Sequence, residues 1–588
     1  MSMQRLGLMT SEEYATTLAV ALRLELQYHE FHYHQQVAIC PPRIMETFTP
    51  VHIVAISFVE SAVTFYVFPN LLPALSLGGL FLFYSAINWG IKAAQKLIVY
   101  PYFQSPLRHL PQPLCGFYPI LGHGLLMFKT PPGGEILNIM KTTANDGMIY
   151  FRGIFHEDRL ILTGPAALAD VLVHKSYDFE KPGWVRQFLV RFLGNGLLTS
   201  EGDEHKHQRK QIMPAFNFRH IKELYPVLWS KSIEFCDVLK RELLEKPDKV
   251  LELNHFSTQV TMDIIGLAGL GRDIGSLRNS DDLLIETYEE ILEPTAEKGL
   301  YFILHLVFPA WFIKAMPWKL NERVRITTSE LKRICTEFVR DKKARMKTES
   351  QHQVDILSIM MRSNTFSDEG LVDQLLTFLA AGHETTSAAL TWTGYLLSSN
   401  PAIQRKLRAE VHESIPSPSA LSSNPDIASV LEALPYLNAV CNETLRLYPT
   451  IPASSRCAIR DTTIDSQFIP KGTMVLVTPW AINRNPKLWG PDAEVFKPER
   501  WIDPESGRAN NVGGADSNYS FLTFLHGPRS CIGEKFARAE MRALVAAFCG
   551  SFEMEMADPN EIVRPGGTIT SKPINGMKLR LKPVEWGS

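Results

Sequence analysis

Twenty-one consecutive residues, Leu71–Ile91, carry no charged side chain, and no Lys or Arg occurs from Ile44 to Ile91. A backbone in such surroundings must bond to itself, so the run reads as a helix. At 1.5 Å per residue it would reach about 31 Å, enough to cross a hydrocarbon core. A second apolar run, Val51–Phe68, precedes it, interrupted by Glu60, with the turn signal Pro69-Asn70 between the two. Two arrangements stay open. Either 71–91 spans alone while 51–68 lies at the interface, or the two form a helical hairpin, with Glu60 a costly but tolerable member.

This anchor, 51–91, follows a polar arm, 1–50, so it starts too late for a cleaved signal peptide, and retention is expected. Lys92, Lys96 and Arg108 come after it. By the positive-inside rule they face the cytosol, together with the bulk of the chain. Residues 92–116 read as a linker stiffened by Pro101, Pro106, Pro111 and Pro113. The body is then 117–588.

Of the 588 residues, 45% are hydrophobic, enough for a large core. Lys plus Arg (60) nearly balance Asp plus Glu (62), which argues against nucleic acid as the main partner. Eight scattered cysteines without a CxxC pair suit reduced thiols better than disulfides or zinc. The sequon Asn442-Glu443-Thr444 lies in a helical pattern and reads as a chance match. Helical periodicity marks 218–246, 320–346, 367–398 and 428–448, and a last helix follows Cys531. Short β-like runs lie near 457–479, and 577–583 alternates like a strand. The fold class is mainly α with small β-sheets, in one large domain.

The most informative stretch is Phe524-Leu-His-Gly527-Pro-Arg529-Ser-Cys531-Ile-Gly533. Two glycines, which allow tight turns, flank a cysteine just before a helix, where backbone N–H groups favour a thiolate. Arg529 adds a permanent cation suited to an anionic group. A lone cysteine is more often an inert buried one. This stretch, however, resembles the haem loop FxxGxRxCxG of the cytochrome P-450 superfamily. The resemblance implies that Cys531 ligates the iron of haem b (iron protoporphyrin IX). It also implies that Phe524 lies near the sulfur, Arg529 pairs with a propionate, and Gly527 and Gly533 shape the loop.

Further motifs follow in the family's order. Glu443-Thr-Leu-Arg446 resembles ExxR, and Phe496-Lys-Pro-Glu-Arg500-Trp501 its partner, implying a buried ionic brace of Glu443, Arg446 and Arg500. Ala381-Gly-His-Glu384-Thr385-Thr386 interrupts an apolar helix and resembles the oxygen-activation signature AGxET, with Glu384 and Thr385 as the catalytic pair. By the same resemblance Arg456 meets a propionate, as does Arg209, the arginine of the family's WxxxR. His205 stands where that motif has tryptophan, and an imidazole can still donate a hydrogen bond. The resemblance covers about 105–588 and is strongest to fungal members.

It implies the cytochrome P-450 fold behind a membrane anchor, in the endoplasmic reticulum membrane with the catalytic domain facing the cytosol. The expected reaction is a monooxygenation of a hydrophobic small molecule in specialised metabolism, with electrons from NADPH-cytochrome P-450 reductase. The alternatives are a haem-thiolate isomerase or dehydratase needing neither O2 nor reductase, and a non-catalytic haem-binding membrane protein. By family analogy the substrate pocket is lined by 182–200, 371–381, 449–455 and 566–573, including Trp184, Phe188, Leu189, Phe192, Phe378, Ile451 and Ile569. These segments read as apolar, with no obvious cation.

Overall fold

The computed structural model describes residues 49–588 apart from Cys115, 247–248, 280–295, Pro309, 349–354, Pro425, Thr568 and 587–588. The arm expected at 1–50 therefore lies almost wholly outside the described residues. The chain divides into two units, Met1–Pro106 and Leu107–Ser588.

In the first unit, helix α1 (Pro50–Val67) packs antiparallel on α2 (Leu77–Ala94), and helical winding continues through Gln104. The uncharged run is thus not one helix. Residues 68–76 turn the chain, and Ser76 caps α2 by accepting from the Gly79 N–H at 3.2 Å. The irregular linker is also shorter than the 92–116 read from its prolines, because Pro101 is accommodated inside the winding. The hairpin is inside-out. Its buried side chains on α1 are Ile53, Ser57, Ser61 and Thr64, while Val51, Phe58, Val59 and Tyr66 are exposed. Asn88 donates to Ser57 Oγ (3.0 Å) and Glu60 Oε2 (2.6 Å), and Thr64 and Tyr84 share a hydroxyl bond of 2.8 Å. Of the described helices, α1 is long and apolar enough to cross a membrane.

In the second unit a helix over Gly134–Thr142 precedes strands β1 (Met148–Arg152), β2 (Asp158–Leu162) and β3 (Phe179–Glu180). Helices α3 (Gly183–Leu193), α4 (Gly202–Ile212) and α5 (Phe218–Glu245), strand β4 (Leu251–Glu252) and α6 (Leu253–Ile264) follow. The long helix α7 spans Asp368–Ser399. Ser367 caps it, Asp368 and Glu369 occupy its first turn, and it is buried along most of its length. It packs against α6 and against α10 (Glu534–Ser551), the helix after the cysteine loop; between them come α8 (Pro401–Ser414) and α9 (Pro435–Leu447). Pro435 starts α9 and breaks the helical pattern read over 428–448, because a proline cannot continue the preceding turn.

Further strands are β5 (Ser454–Ala458), β6 (Met474–Val477), β7 (Phe552–Met556), β8 (Pro565–Gly566), β9 (Lys572–Pro573) and β10 (Lys578–Pro583), with a small hairpin of Thr462–Ile464 and Gln467–Ile469 between β5 and β6. The main sheet runs β1-β2-β6-β5-β3 and sets Arg456 opposite Val475. A smaller sheet runs β4-β10-β7, and β8 pairs with β9 so that Gly566 faces Lys572. The fold is mainly helical with small sheets, as the periodicity implied.

Candidate active site

Cys531 sits three residues before α10, and its N–H bonds to Phe524 O at 2.8 Å, closing the loop. Gly527 has φ +74°, and a Cβ there would collide with the Leu172 carbonyl, so no other residue fits. Gly533 has an ordinary φ of −85°. A Cβ there would lie 3.9 Å from Cys531 Sγ, an ordinary contact, so neither backbone nor space demands glycine at this position in the protein itself. Cys236, Cys335, Cys441 and Cys549 are buried, whereas the Cys531 side chain is accessible. Yet loss of bulk solvent pushes its thiol up to about 11, against the pull of the Gly533 N–H and of Arg209. A thiol that is both accessible and shielded lines a cavity within the protein.

Behind the loop lies the brace. Glu443 accepts from Arg446 Nε (2.8 Å) and Nη2 (2.7 Å), Arg500 Nε (3.0 Å), Lys497 N (3.0 Å) and Trp501 Nε1 (2.9 Å). Arg446 also donates to the carbonyls of Asn483, Ala493 and Val495. Neither Glu443 nor Arg446 touches solvent. The charges survive burial because every lone pair and N–H is matched.

Beside the loop is a cluster of cations. Arg209 donates from Nη1 to Ser530 O (2.8 Å), next to Cys531. Arg456 is buried on β5, donates to Ser454 Oγ (2.8 Å) and Ser455 O (2.9 Å), and is pulled down to about 10 by burial and by Arg529. Arg529 pairs with Glu201, while its Nε and Nη2 are buried without a partner. His205 is buried on α4, with Nδ1 3.2 Å from the Tyr177 hydroxyl. Burial, then Arg529, Lys181 and Arg209, lower it to about 4, so the ring is neutral. Pattern reading passed over three members of this cluster: Lys181, Glu201 and Tyr177. Lys181 donates its N–H to Glu201 (3.0 Å), and burial lowers its ammonium to about 8.

On α7, Ala381 and Thr385 are accessible and one turn apart, while Ala380, His383, Glu384 and Thr386 are buried. One side of a core helix therefore opens on a cavity. Thr385 Oγ1 donates to Ala381 O at 2.7 Å, and Glu384 Oε1 accepts from Thr570 Oγ1 (2.8 Å) and Lys572 Nζ (2.8 Å).

The cytochrome P-450 family profile matches residues 111–579, most of the chain. The chain belongs to the cytochrome P-450 family.

Among the relatives of this P-450 is cytochrome P-450 monooxygenase sphH of Aspergillus fumigatus, 42% identical over 503 residues, covering 84% of this chain and 91% of that protein. Another is cytochrome P-450 monooxygenase ptmK of Penicillium ochrochloron, 39% identical over 493 residues, covering 83% and 96%. The chain is an oxygen-incorporating oxidoreductase of that kind, and its family implies a haem cofactor. The residues present fit such a group. An accessible thiol faces a cavity, and beside it the buried Arg529 keeps two N–H-bearing atoms unspent, as an anionic edge would require.

Of the apolar residues expected at the pocket, Phe188 is buried with Tyr301 and Ile313, and Leu189 and Phe192 pack on that cluster. The Phe378 ring lies 5.7 Å from that of Phe216. Ile569 is exposed. The segments do hold cations, contrary to the apolar reading: Arg186 and Arg191 in 182–200 and Lys572 in 566–573, whose pairing with Glu384 across the sequence no local pattern announces.

Proposed function

We propose that this cytochrome P-450 inserts one oxygen atom of O2 into a hydrophobic small molecule of specialised metabolism, with haem b held by Cys531. The balance is substrate RH plus O2, two electrons and two protons, giving ROH and water. Bound haem supplies the one-electron and O2 chemistry, which a thiolate ligand favours by pushing electron density to iron. The protein's part is to hold and to move protons. Arg529, Arg456, Arg209, His205 and Lys181 would take the propionate edge, and Phe524, Gly527 and Gly533 would shape the loop around the sulfur. Thr385 Oγ1 offers a hydroxyl to the cavity, and Glu384 is the adjoining carboxyl from which protons can be replenished.

Electrons would come from NADPH through cytochrome P-450 reductase. Lys210 and Lys535 are exposed on α4 and α10, the one on the helix whose Arg209 reaches Ser530 and the other just after the loop, and suit an acidic partner, while the exposed Lys206 is already paired with Asp203 at 2.7 Å. Arg538 does not join them, because Glu534 and Asn442 hold it. The inside-out hairpin, followed by Lys92, Lys96 and Arg108, supports an anchor in the endoplasmic reticulum membrane with the catalytic unit in the cytosol.

The observation that carries the reading is the accessible Thr385 hydroxyl next to a buried carboxylate on one core helix. A reaction that consumes protons away from water needs both. An isomerase or dehydratase needs neither. Turnover under 18O2 with reductase and NADPH should give product carrying one 18O. Conversion under strict anaerobiosis without reductant would exclude monooxygenation.

A further inference from the structure

The carboxyl expected to feed protons to Thr385 is not bonded to it. Glu384 is tied instead to the β8–β9 hairpin, by Thr570 Oγ1 and by Lys572 Nζ, each at 2.8 Å. Both members of the ion pair are largely shielded, with side-chain exposures of 14% and 6%. His383 Nε2 lies 4.0 Å from Glu384, but burial lowers its pKa, and its Nδ1 bonds to Leu379 O (2.6 Å). The cation that balances Glu384 is therefore Lys572, not the neighbouring imidazole.

The residue before Lys572 is fixed on two sides. Ser571 O accepts from Trp392 Nε1 on α7 (2.9 Å), and Ser571 N donates to Thr450 O (2.8 Å). Trp392 in turn stacks on Tyr448, with ring centroids 4.1 Å apart. One residue, Ser571, thus links the loop after α9 and the core helix, next to the ammonium that holds Glu384. Ile569, expected at the pocket, lies on the same turn of chain.

We propose that Lys572 is a positioning residue that latches Glu384. Passing a proton from Glu384 toward Thr385 requires this ion pair to loosen, and the hairpin that carries Lys572 and Thr570 sets when it does. Substrate against the hairpin would thereby tie proton supply to occupancy. The inference rests on the monooxygenase reading above. A buried carboxylate that loses its cation is left with an uncompensated charge or must take up a proton. A lysine that merely fastened the hairpin would affect stability and substrate binding, not the fate of electrons.

The test compares wild type with Lys572→Met, which keeps length without charge, and Lys572→Arg, which keeps the charge. Thr570→Val serves as a gentler loosening should the Met variant fold poorly. In the resting proteins, infrared spectra should show a carboxylic-acid carbonyl band in Lys572→Met that is absent in wild type and in Lys572→Arg, and that vanishes when Glu384→Gln is added. In turnover, product per NADPH should fall about ten-fold in Lys572→Met, with electrons diverted to peroxide or water. Lys572→Arg and the substrate-binding titrations of all variants should stay within about two-fold of wild type, and Thr570→Val should fall between. Full coupling in Lys572→Met, or in Thr570→Val where the Met variant is lost, overturns the latch, as does absence of the Glu384 band. The infrared arm reads the pair without turnover, so its failure is distinct from a wild type that forms no NADPH-dependent product.

Discussion

Glu540 lies on α10 at 1% exposure, with no hydrogen-bond partner in bonding geometry for either carboxyl oxygen. Burial raises it well above the usual carboxyl value, and the nearby Thr386 offsets this only in part. In the unfolded chain a glutamate titrates at about 4.3. Above that value the unfolded state releases the proton that the folded state keeps, so stability falls as pH rises toward the folded value. Below both values the cost vanishes. Glu540→Gln mimics the protonated form, so its apparent melting temperature at pH 8 should exceed wild type by on the order of 2 °C, with the gap closing toward pH 4. A gap that stays constant with pH would show that Glu540 is not the titrating group. Residues with local signatures were legible: the Cys531 loop, Glu443 with Arg446, and Glu384-Thr385. Partners set by tertiary contact were not. Glu201 meets Arg529 across 328 positions and Thr570 meets Glu384 across 186, and no periodicity encodes such pairs.

Among the elements, α1 and α2 carry the clearest departure from pattern reading. A window free of charge pointed to 71–91, but Pro73 and the Ser76 cap delay the helix to Leu77. Polarity then decides how the two helices pair. Asn88, Ser57, Glu60, Thr64 and Tyr84 bond to one another between α1 and α2, and apart from the buried Ile53 and Leu80 most large apolar side chains are exposed. Interhelical bonds of this kind contribute roughly 0.6 kcal/mol each in lipid, so several together hold α1 and α2 as a pair, and a topology test decides whether both cross. A hairpin crossing twice returns the chain to its starting side. Tags at the N- and C-termini should therefore both be digested by protease added to intact microsomes. Protection of the N-terminal tag alone would mean one span. The long helices of the catalytic unit, by contrast, matched their expected extents closely, because α5 and α7 bury most of one or all faces and leave strong periodic signals.

At the scale of the whole molecule, the core helix α7 bears the accessible Thr385, and the loop before α10 bears the accessible Cys531. The brace around Glu443 ties α9 to the segment holding Arg500 and Trp501, fixing the scaffold behind that loop. Breaking such a network by removing one member typically costs about 3–5 kcal/mol, which is why its role is support, not chemistry. What sequence alone could not convey is which substrate fits, because the lining residues come from segments hundreds of positions apart. The assignment of Cys531 underlies every other role, and one spectrum tests it. The reduced, carbon-monoxide-bound protein should show the red-shifted Soret band of thiolate-ligated haem, and Cys531→Ala should lose that band entirely. A band unchanged in Cys531→Ala would mean that another residue holds the iron.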